Sequence, residues 1–463
     1  PQRCIDAIEA ACTLPFDEGL EKESEMFAQL VTSAQSAAQR HIFFAERAAA
    51  KISDVPKDTP LKEIGSVGII GAGTMGGGIS MNFASAGIPV KIFDTNAEGL
   101  ERGMGIIKKN YENTMNRGKL TQAQVDSAVA LITPVSSYDD FADVDMIVEA
   151  VFEDMDVKKE VFRELDKVCK DECILATNTS TLDINVIAAE TKRPEWVIGM
   201  HFFSPANIMK LLEVVRGDKT NAVTLATTMA IAKKIKKVGV VVGVCDGFVG
   251  NRMMHPYRAD AIFLAEEGAS PQQIDSAIYS WGMAMGPMAM NDLAGLDISW
   301  AIRKGKPKPE GLRYSEIPDR ICEMGRFGQK TSAGWYQYEE GSRTPLPDPE
   351  IQKLIADAAQ KAGIEQREIT DEEVVERTIY AMINMGARVL EEGFAQRASD
   401  IDVIFVNGYG FPIYRGGPMF YADTVGLKTV YDKICEFNDR ESDNRWEPAP
   451  LLKKLAEEGG TFN

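Results

Sequence analysis

Histidine is scarce in this sequence: 463 residues hold three, His41, His201 and His255. Any chemistry that needs an imidazole is confined to those positions. The seven cysteines, Cys4, Cys12, Cys169, Cys173, Cys245, Cys322 and Cys435, are odd in number and include no C-x-x-C pair. That argues against a disulfide framework and for reduced, structural thiols in an intracellular protein. No His, Cys or carboxylate cluster has metal-ligand spacing, so no metal is expected. Long apolar runs are missing as well; none approaches the roughly eighteen residues of a membrane span, and no integral membrane segment is expected. Pro1-Gln2-Arg3-Cys4 lacks the basic and apolar regions of a signal peptide, and Gly459 to Asn463 is not the S-K-L peroxisomal address. Opening on Pro1 without a Met reads as a fragment of something longer or a processed form. Positive charge is in deficit, 51 Lys and Arg against 69 Asp and Glu, a formal net charge of -18. This balance argues against nucleic-acid and anionic-membrane partners, and an anionic substrate would need a local basic patch.

What the chain does have is a placed cluster of glycines. Ser66 to Ile70 reads as a buried strand, and Gly71-Ala72-Gly73-Thr74-Met75-Gly76 follows it with the spacing G-x-G-x-x-G. A helix continues from Thr74 to Ala86, with Met75, Ile79, Met81 and Phe83 at helical spacing. Gly71 permits the strand-to-helix turn, Gly73 lets backbone N–H groups approach a pyrophosphate, and Gly76 lets the helix pack on the sheet. Gly71, Gly73, Thr74, Met75 and Gly76 are thus a candidate NAD-binding turn. The next apolar run, Val90 to Phe93, ends in Asp94, placed to accept from the adenosine ribose hydroxyls and to repel a 2′-phosphate. The alternative for Asp94 is an ordinary helix cap.

Strand-like runs at 145–151, 173–177, 196–200, 211–215 and 238–242 alternate with helical stretches, which predicts an α/β fold with a Rossmann-type, mostly parallel sheet. Before it, Cys4 to Ala50 predicts two or more helices, and the Asp54 to Pro60 stretch a linker. After Cys245 the pattern is helical throughout and repeats. Glu266-Glu267-Gly268, Ile274-Asp275, Gly286-Pro287-Met288 and Asp292 recur in the same order as Glu391-Glu392-Gly393, Ile401-Asp402, Gly417-Pro418-Met419 and Asp423. Two repeated all-α domains are expected, with Ser342 to Pro349 between them. The expected segments are 1–61, 62–244, 245–340 and 341–463.

His201 ends the Trp196 to Met200 run, and Glu213 sits inside Leu211-Leu212-Glu213-Val214-Val215. An acid flanked by strand hydrophobes needs a partner. If the two strands are neighbours, Glu213 holds the His201 imidazole in one tautomer and stabilises its protonated form. Ser180 stands just past a strand, to donate to a substrate oxygen or to cap a turn; Asn251 opens the first helical domain, for function or as a cap. The run Lys233 to Lys237 reads as a solvated helix face rather than a phosphate site.

With these residues in order, the chain closely resembles the L-3-hydroxyacyl-CoA dehydrogenases. The resemblance rests on Gly68 to Gly76, Asn178-Thr179-Ser180, Gly199 to Ala206 with His201, Glu213, and Asp246 to Arg252 with Asn251, and it covers Ile64 to the C-terminus. It implies NAD-dependent oxidation of 3-hydroxyacyl-CoA, with His201 as base, Glu213 orienting it, Ser180 on the reacting oxygen and Asn251 at the thioester end. It also implies that Glu153 and Lys158 lie near the cofactor. The repeat is similar to the dehydrogenase half of multifunctional fatty-acid oxidation enzymes, in which an enoyl-CoA hydratase/isomerase domain comes first and a thiolase can be a partner. The Pro15 to Leu20 stretch looks like the closing segment of such a domain, and no hydratase activity is expected of this chain. By the Glu-Glu-Gly register Glu376 stands opposite Asn251 and Arg377 opposite Arg252, so the second copy is expected to pack rather than catalyse. Other small hydroxyacid or 3-hydroxybutyryl-CoA dehydrogenases, and non-catalytic λ-crystallin-like proteins, are the alternatives. A bacterial cytoplasmic location is the first expectation, with peroxisome and mitochondrion left open.

Overall fold

A computed structural model of the protein describes residues 2–304, 311–441 and 443–463; Pro1, on which the fragment reading rests, lies outside the described residues. Three helices come first, α1 (Gln2–Thr13), α2 (Phe16–Val31) and α3 (Ala34–Ala49). The sheet domain follows as β1 (Val67–Ile70), α4 (Thr74–Ser85), β2 (Val90–Phe93), α5 (Ala97–Asn116), α6 (Gln122–Ala130), β3 (Ile132–Pro134), β4 (Met146–Glu149), α7 (Met155–Val168), β5 (Ile174–Thr177), α8 (Ile184–Ala188), β6 (Val197–Phe202), β7 (Leu211–Arg216), α9 (Ala222–Lys234) and β8 (Val238–Gly243). Its eight strands lie in the order β3-β2-β1-β4-β5-β6-β7-β8. The central strands β1, β4 and β5 are buried at every position, which is why they read as unbroken apolar runs rather than as alternation.

The sequence reading of this domain holds for the α/β class and the mostly parallel sheet. It overlooked β3, a three-residue edge strand closed by Pro134, and the five-residue α8; neither is long enough to show a period. All strand pairings are parallel except β6 with β7. That exception reverses the chain and brings β7 back beside the tip of β6.

Beyond the sheet the described residues form helices and isolated bridges. The first copy contains α10 (Phe248–Glu267), α11 (Pro271–Trp281), α12 (Pro287–Ala294), α13 (Leu296–Lys304) and α14 (Ile317–Glu323). After α15 (Pro349–Ala362), the second has α16 (Asp371–Glu391), α17 (Ala398–Gly408), α18 (Pro418–Val425), α19 (Leu427–Arg440) and α20 (Pro450–Glu458). The repeat is physical as well as sequential. Asp275 accepts from the N–H groups of Met288 and Ala289 at the start of α12, and Asp402 does the same for Met419 and Phe420 at the start of α18. Asp292 takes the N–H groups of Trp335 and Tyr336, and Asp423 those of Phe462 and Asn463.

α10 packs against its counterpart α16, and Arg377 of α16 pairs with Asp260 and Glu267 of α10 at 2.9 and 2.6 Å. In the first copy Tyr336 completes the cap on Asp275; in the second, His41 of α3 stands 2.8 Å from Asp402. The N-terminal segment is thereby docked on the second helical copy.

Candidate functional site

The glycine turn joins β1 to α4 as expected. Gly71 has φ of +100°, and a Cβ there would lie 2.5 Å from the Ala150 carbonyl oxygen, so only glycine is unstrained. A Cβ at Gly73 would meet nothing within 4 Å, which leaves an open cradle above the N-terminus of α4. No side chain caps that helix, so its first N–H groups face the cradle, an arrangement that suits a pyrophosphate. Asp94 follows β2, but it is not the helix cap: Asn96 caps α5. Asp94 Oδ2 accepts from Ala72 N and Oδ1 from Asn96 N, both at 2.9 Å, which ties the strand tip to the glycine turn. Each oxygen keeps a lone pair for a ribose hydroxyl. The residues therefore fit NAD.

A second network lies at the tips of β4 and β5. Lys158, on α7, is buried with its Nζ 2.6 Å from Glu149 Oε1 and 3.5 Å from Glu153. Glu153 Oε1 accepts from Thr179 Oγ1, Ser180 N and Ser180 Oγ at 2.7, 2.7 and 3.0 Å. Burial pushes the Glu153 carboxyl up, but Lys158 and these donors outweigh it and hold it below its ordinary range. Ser180 is thus not a helix cap; Asp183 caps α8. Glu149 and Thr179 are members of this network that the sequence reading missed. Glu149 carried a signal: it is a carboxylate ending an apolar strand.

The third group is the one the antiparallel pair creates. His201 and Glu213 are direct register partners, with Nδ1 2.7 Å from Oε2. Both are buried, Glu213 completely. The other carboxylate oxygen accepts from Gly250 N in the first turn of α10 at 2.9 Å, so Glu213 is satisfied on both sides. His201 Nε2 has no hydrogen-bond partner among the described residues. Asn251, half-buried in the same turn, receives a 2.9 Å bond at Oδ1 from the hydroxyl of Tyr409 at the end of α17. Ser180 follows β5, the strand beside β6: Thr177 pairs with Gly199, and Asn178 Oδ1 accepts from Phe202 N.

The basic patch required of an acidic chain also exists. Lys119, Lys210, Lys234, Lys236 and Lys237 line one cleft of about 300 Å³, with Asn82 and Asn207. The reading of Lys233 to Lys237 as a solvated helix face holds for Lys233 and Lys234, exposed on α9, and needs correction beyond them. α9 stops at Lys234, Lys236 turns into the left-handed region, and Lys237 is buried with Nζ donating to the carbonyls of Ala206 and Met209. Burial pulls the Lys237 pKa down to about 8.

Comparison with known proteins agrees with this geometry. Residues 66–245 match the family model of the 3-hydroxyacyl-CoA dehydrogenase NAD binding domain, and residues 247–338 and 374–461 match that of the C-terminal domain. The chain is 44% identical to the peroxisomal bifunctional enzyme of Danio rerio, over 99% of its own length and 66% of that protein's. It is 39% identical to the peroxisomal fatty acid beta-oxidation multifunctional protein AIM1 of Arabidopsis thaliana, over 98% and 64%. The chain thus spans just under two thirds of these curated relatives. Among solved structures, the dehydrogenase part of multifunctional enzyme 1 from C. elegans matches at 32% identity with a TM-score of 0.66, covering 89% of this chain and 96% of that one. The 3-hydroxybutyryl-CoA dehydrogenase of Escherichia coli matches at 26% identity with a TM-score of 0.75, covering 86% and 99%. The glycine turn, the repeated helical domain and these likenesses lead to one assignment: the chain belongs to the 3-hydroxyacyl-CoA dehydrogenase family of NAD-dependent oxidoreductases.

Proposed function

We propose that the chain oxidises the 3-hydroxyl of an (S)-3-hydroxyacyl-CoA to the 3-ketoacyl-CoA, a step of fatty-acid β-oxidation. The observation that carries this reading is the buried His201–Glu213 pair, with Nδ1 engaged and Nε2 left for substrate. When bound, NAD supplies the hydride acceptor for C3. His201 removes the hydroxyl proton at Nε2 while Glu213 holds Nδ1–H and stabilises the imidazolium. In the reverse direction the protonated His201 is the acid. The Ser180 hydroxyl donates its one hydrogen bond to Glu153 in this structure, and on substrate binding it turns that hydrogen bond to the oxygen on C3 while keeping its proton. Glu153 tolerates that loss because Thr179, the Ser180 N–H and Lys158 remain. The Asn251 amide donates to the thioester end. Every group contributes positioning or charge stabilisation.

For cofactor binding the reading uses Gly71, Gly73, Thr74, Met75, Gly76, Asp94, Glu153 and Lys158. The lysine-lined cleft is the place for the phosphate-bearing end of CoA, since it gathers positive charge in a chain of net charge -18. A preference for short acyl chains is the second reading, favoured by the likeness to a 3-hydroxybutyryl-CoA dehydrogenase; a chain-length series of substrates separates the two. The names of the relatives support a peroxisomal location and a place in a bifunctional or multifunctional protein; a hydratase domain and a thiolase partner belong to the proposal through the family resemblance alone. Ile5, Ile8, Phe16 and Phe27 on α1 and α2 are more than half exposed, which favours a further domain against them. The division into 1–61, 62–244, 245–340 and 341–463 is part of the same reading. NADH formation with 3-hydroxyacyl-CoA, or its consumption with acetoacetyl-CoA, tests the proposal; no turnover with either would sink it.

A further inference from the structure

We propose that Tyr409 of the second helical copy is a positioning residue for the reaction, turning the Asn251 amide group toward the acyl thioester. The inference rests on the role given to Asn251 above. The tyrosine hydroxyl donates to Asn251 Oδ1 at 2.9 Å, which leaves the amide NH2, two donors with no protein partner among the described residues, for an acceptor. A thioester carbonyl oxygen is such an acceptor. Without the tyrosine the amide side chain has no hydrogen bond among the described residues that distinguishes its oxygen from its nitrogen.

The surroundings hold Tyr409 in that role. Its ring stands edge-on to Phe203 at 5.3 Å and stacks on Phe405 at 5.0 Å, and Phe203 in turn lies 4.5 Å from the His201 ring. A Cβ at position 250 would come 2.5 Å from the tyrosine oxygen, so Gly250 permits the approach while its N–H holds Glu213. Burial, reinforced by the nearby Glu213 charge, keeps the hydroxyl protonated and therefore a donor.

Comparison of the two copies shows that the feature belongs to the second alone. The matching helices α11 and α17 are followed at their C-terminal ends by Gly282 and Tyr409. From Asp402 the chain takes 15 residues to reach Gly417, against 11 from Asp275 to Gly286. The second copy has a tyrosine and a longer connection where the first has a glycine and a short one. Its expected role as packing alone is therefore incomplete.

The test is Tyr409→Phe in the full chain, which removes one oxygen and keeps both ring contacts. kcat/KM for 3-hydroxybutyryl-CoA should fall roughly 5- to 50-fold, the effect of one well-placed hydrogen bond, with NAD affinity and Tm unchanged. Asn251→Ala should cost more, and adding Tyr409→Phe to it should cost nothing further, because the tyrosine acts only through Asn251. An unchanged Tyr409→Phe enzyme, losses that multiply in the double variant, or a fall in Tm and NAD affinity alongside activity would each overturn the inference. A wild type inactive on the substrate would instead overturn the proposed reaction, and the role of Tyr409 with it.

Discussion

His201 and Glu213 face each other across the antiparallel strand pair of an otherwise parallel sheet, 2.7 Å apart between Nδ1 and Oε2. Directly opposite residues have neighbouring Cβ atoms, so two short side chains meet without either leaving its strand.

Because the pair acts as a unit, its substitutions should not add. His201→Gln should lower kcat about 10²- to 10⁴-fold, the usual scale of general base catalysis, and leave NAD affinity nearly unchanged. Glu213→Gln should also lower kcat strongly, since an amide cannot stabilise the imidazolium. The double variant should be little worse than His201→Gln alone. Steady-state kinetics and a thermal melt decide: multiplying losses, or a Glu213→Gln enzyme that is only less heat-stable, would make Glu213 a structural acid.

Asp94 should determine the choice of cofactor. NAD is expected to be used in preference to NADP, because a 2′-phosphate would stand against the carboxylate. Asp94→Ala should raise KM for NAD more than it lowers kcat. Since Asp94 also holds the Ala72 N–H, a modest fall in Tm should accompany the change. Equal use of both cofactors by the wild type would refute the assignment.

Lys158 and Glu149 are almost fully buried and bonded at 2.6 Å. Lys158→Met should cost about 3–5 kcal/mol of stability, because it strands a carboxylate in the interior. Adding Glu149→Gln should recover part of the loss. Urea denaturation of the three variants measures it, and a Lys158→Met protein as stable as wild type would show that Glu149 finds another partner.

Lys237 carries a pH signature of stability. Its folded-state pKa is pulled down to about 8 by burial, from an ordinary 10.5. Between these values the unfolded chain binds the proton and the folded one does not, so stability gained from this group rises with pH across that window. Wild type should therefore gain on Lys237→Met between pH 8 and 10.5, read as the difference of urea midpoints. A difference that stays flat would place the ammonium in contact with water.

Local pattern determined much of this protein. The glycine turn, the apolar strands, the scarcity of histidine and the repeat are each written within a few residues or a fixed spacing, and strand burial or helix period translates them directly. They were enough to name His201, Glu213, Ser180 and Asn251 as candidates. They also placed the acid of β7 where it needed a partner. Tertiary structure decided the partners. Ser180 bonds Glu153, 27 positions away, Asp94 bonds the glycine turn, His41 meets Asp402 across 361 positions, and Tyr409 reaches Asn251 across 158. No period links such residues. They meet because the β6–β7 reversal, the packing of α10 on α16 and the end of α17 bring distant backbone together, and only the folded layers fix which polar groups satisfy one another.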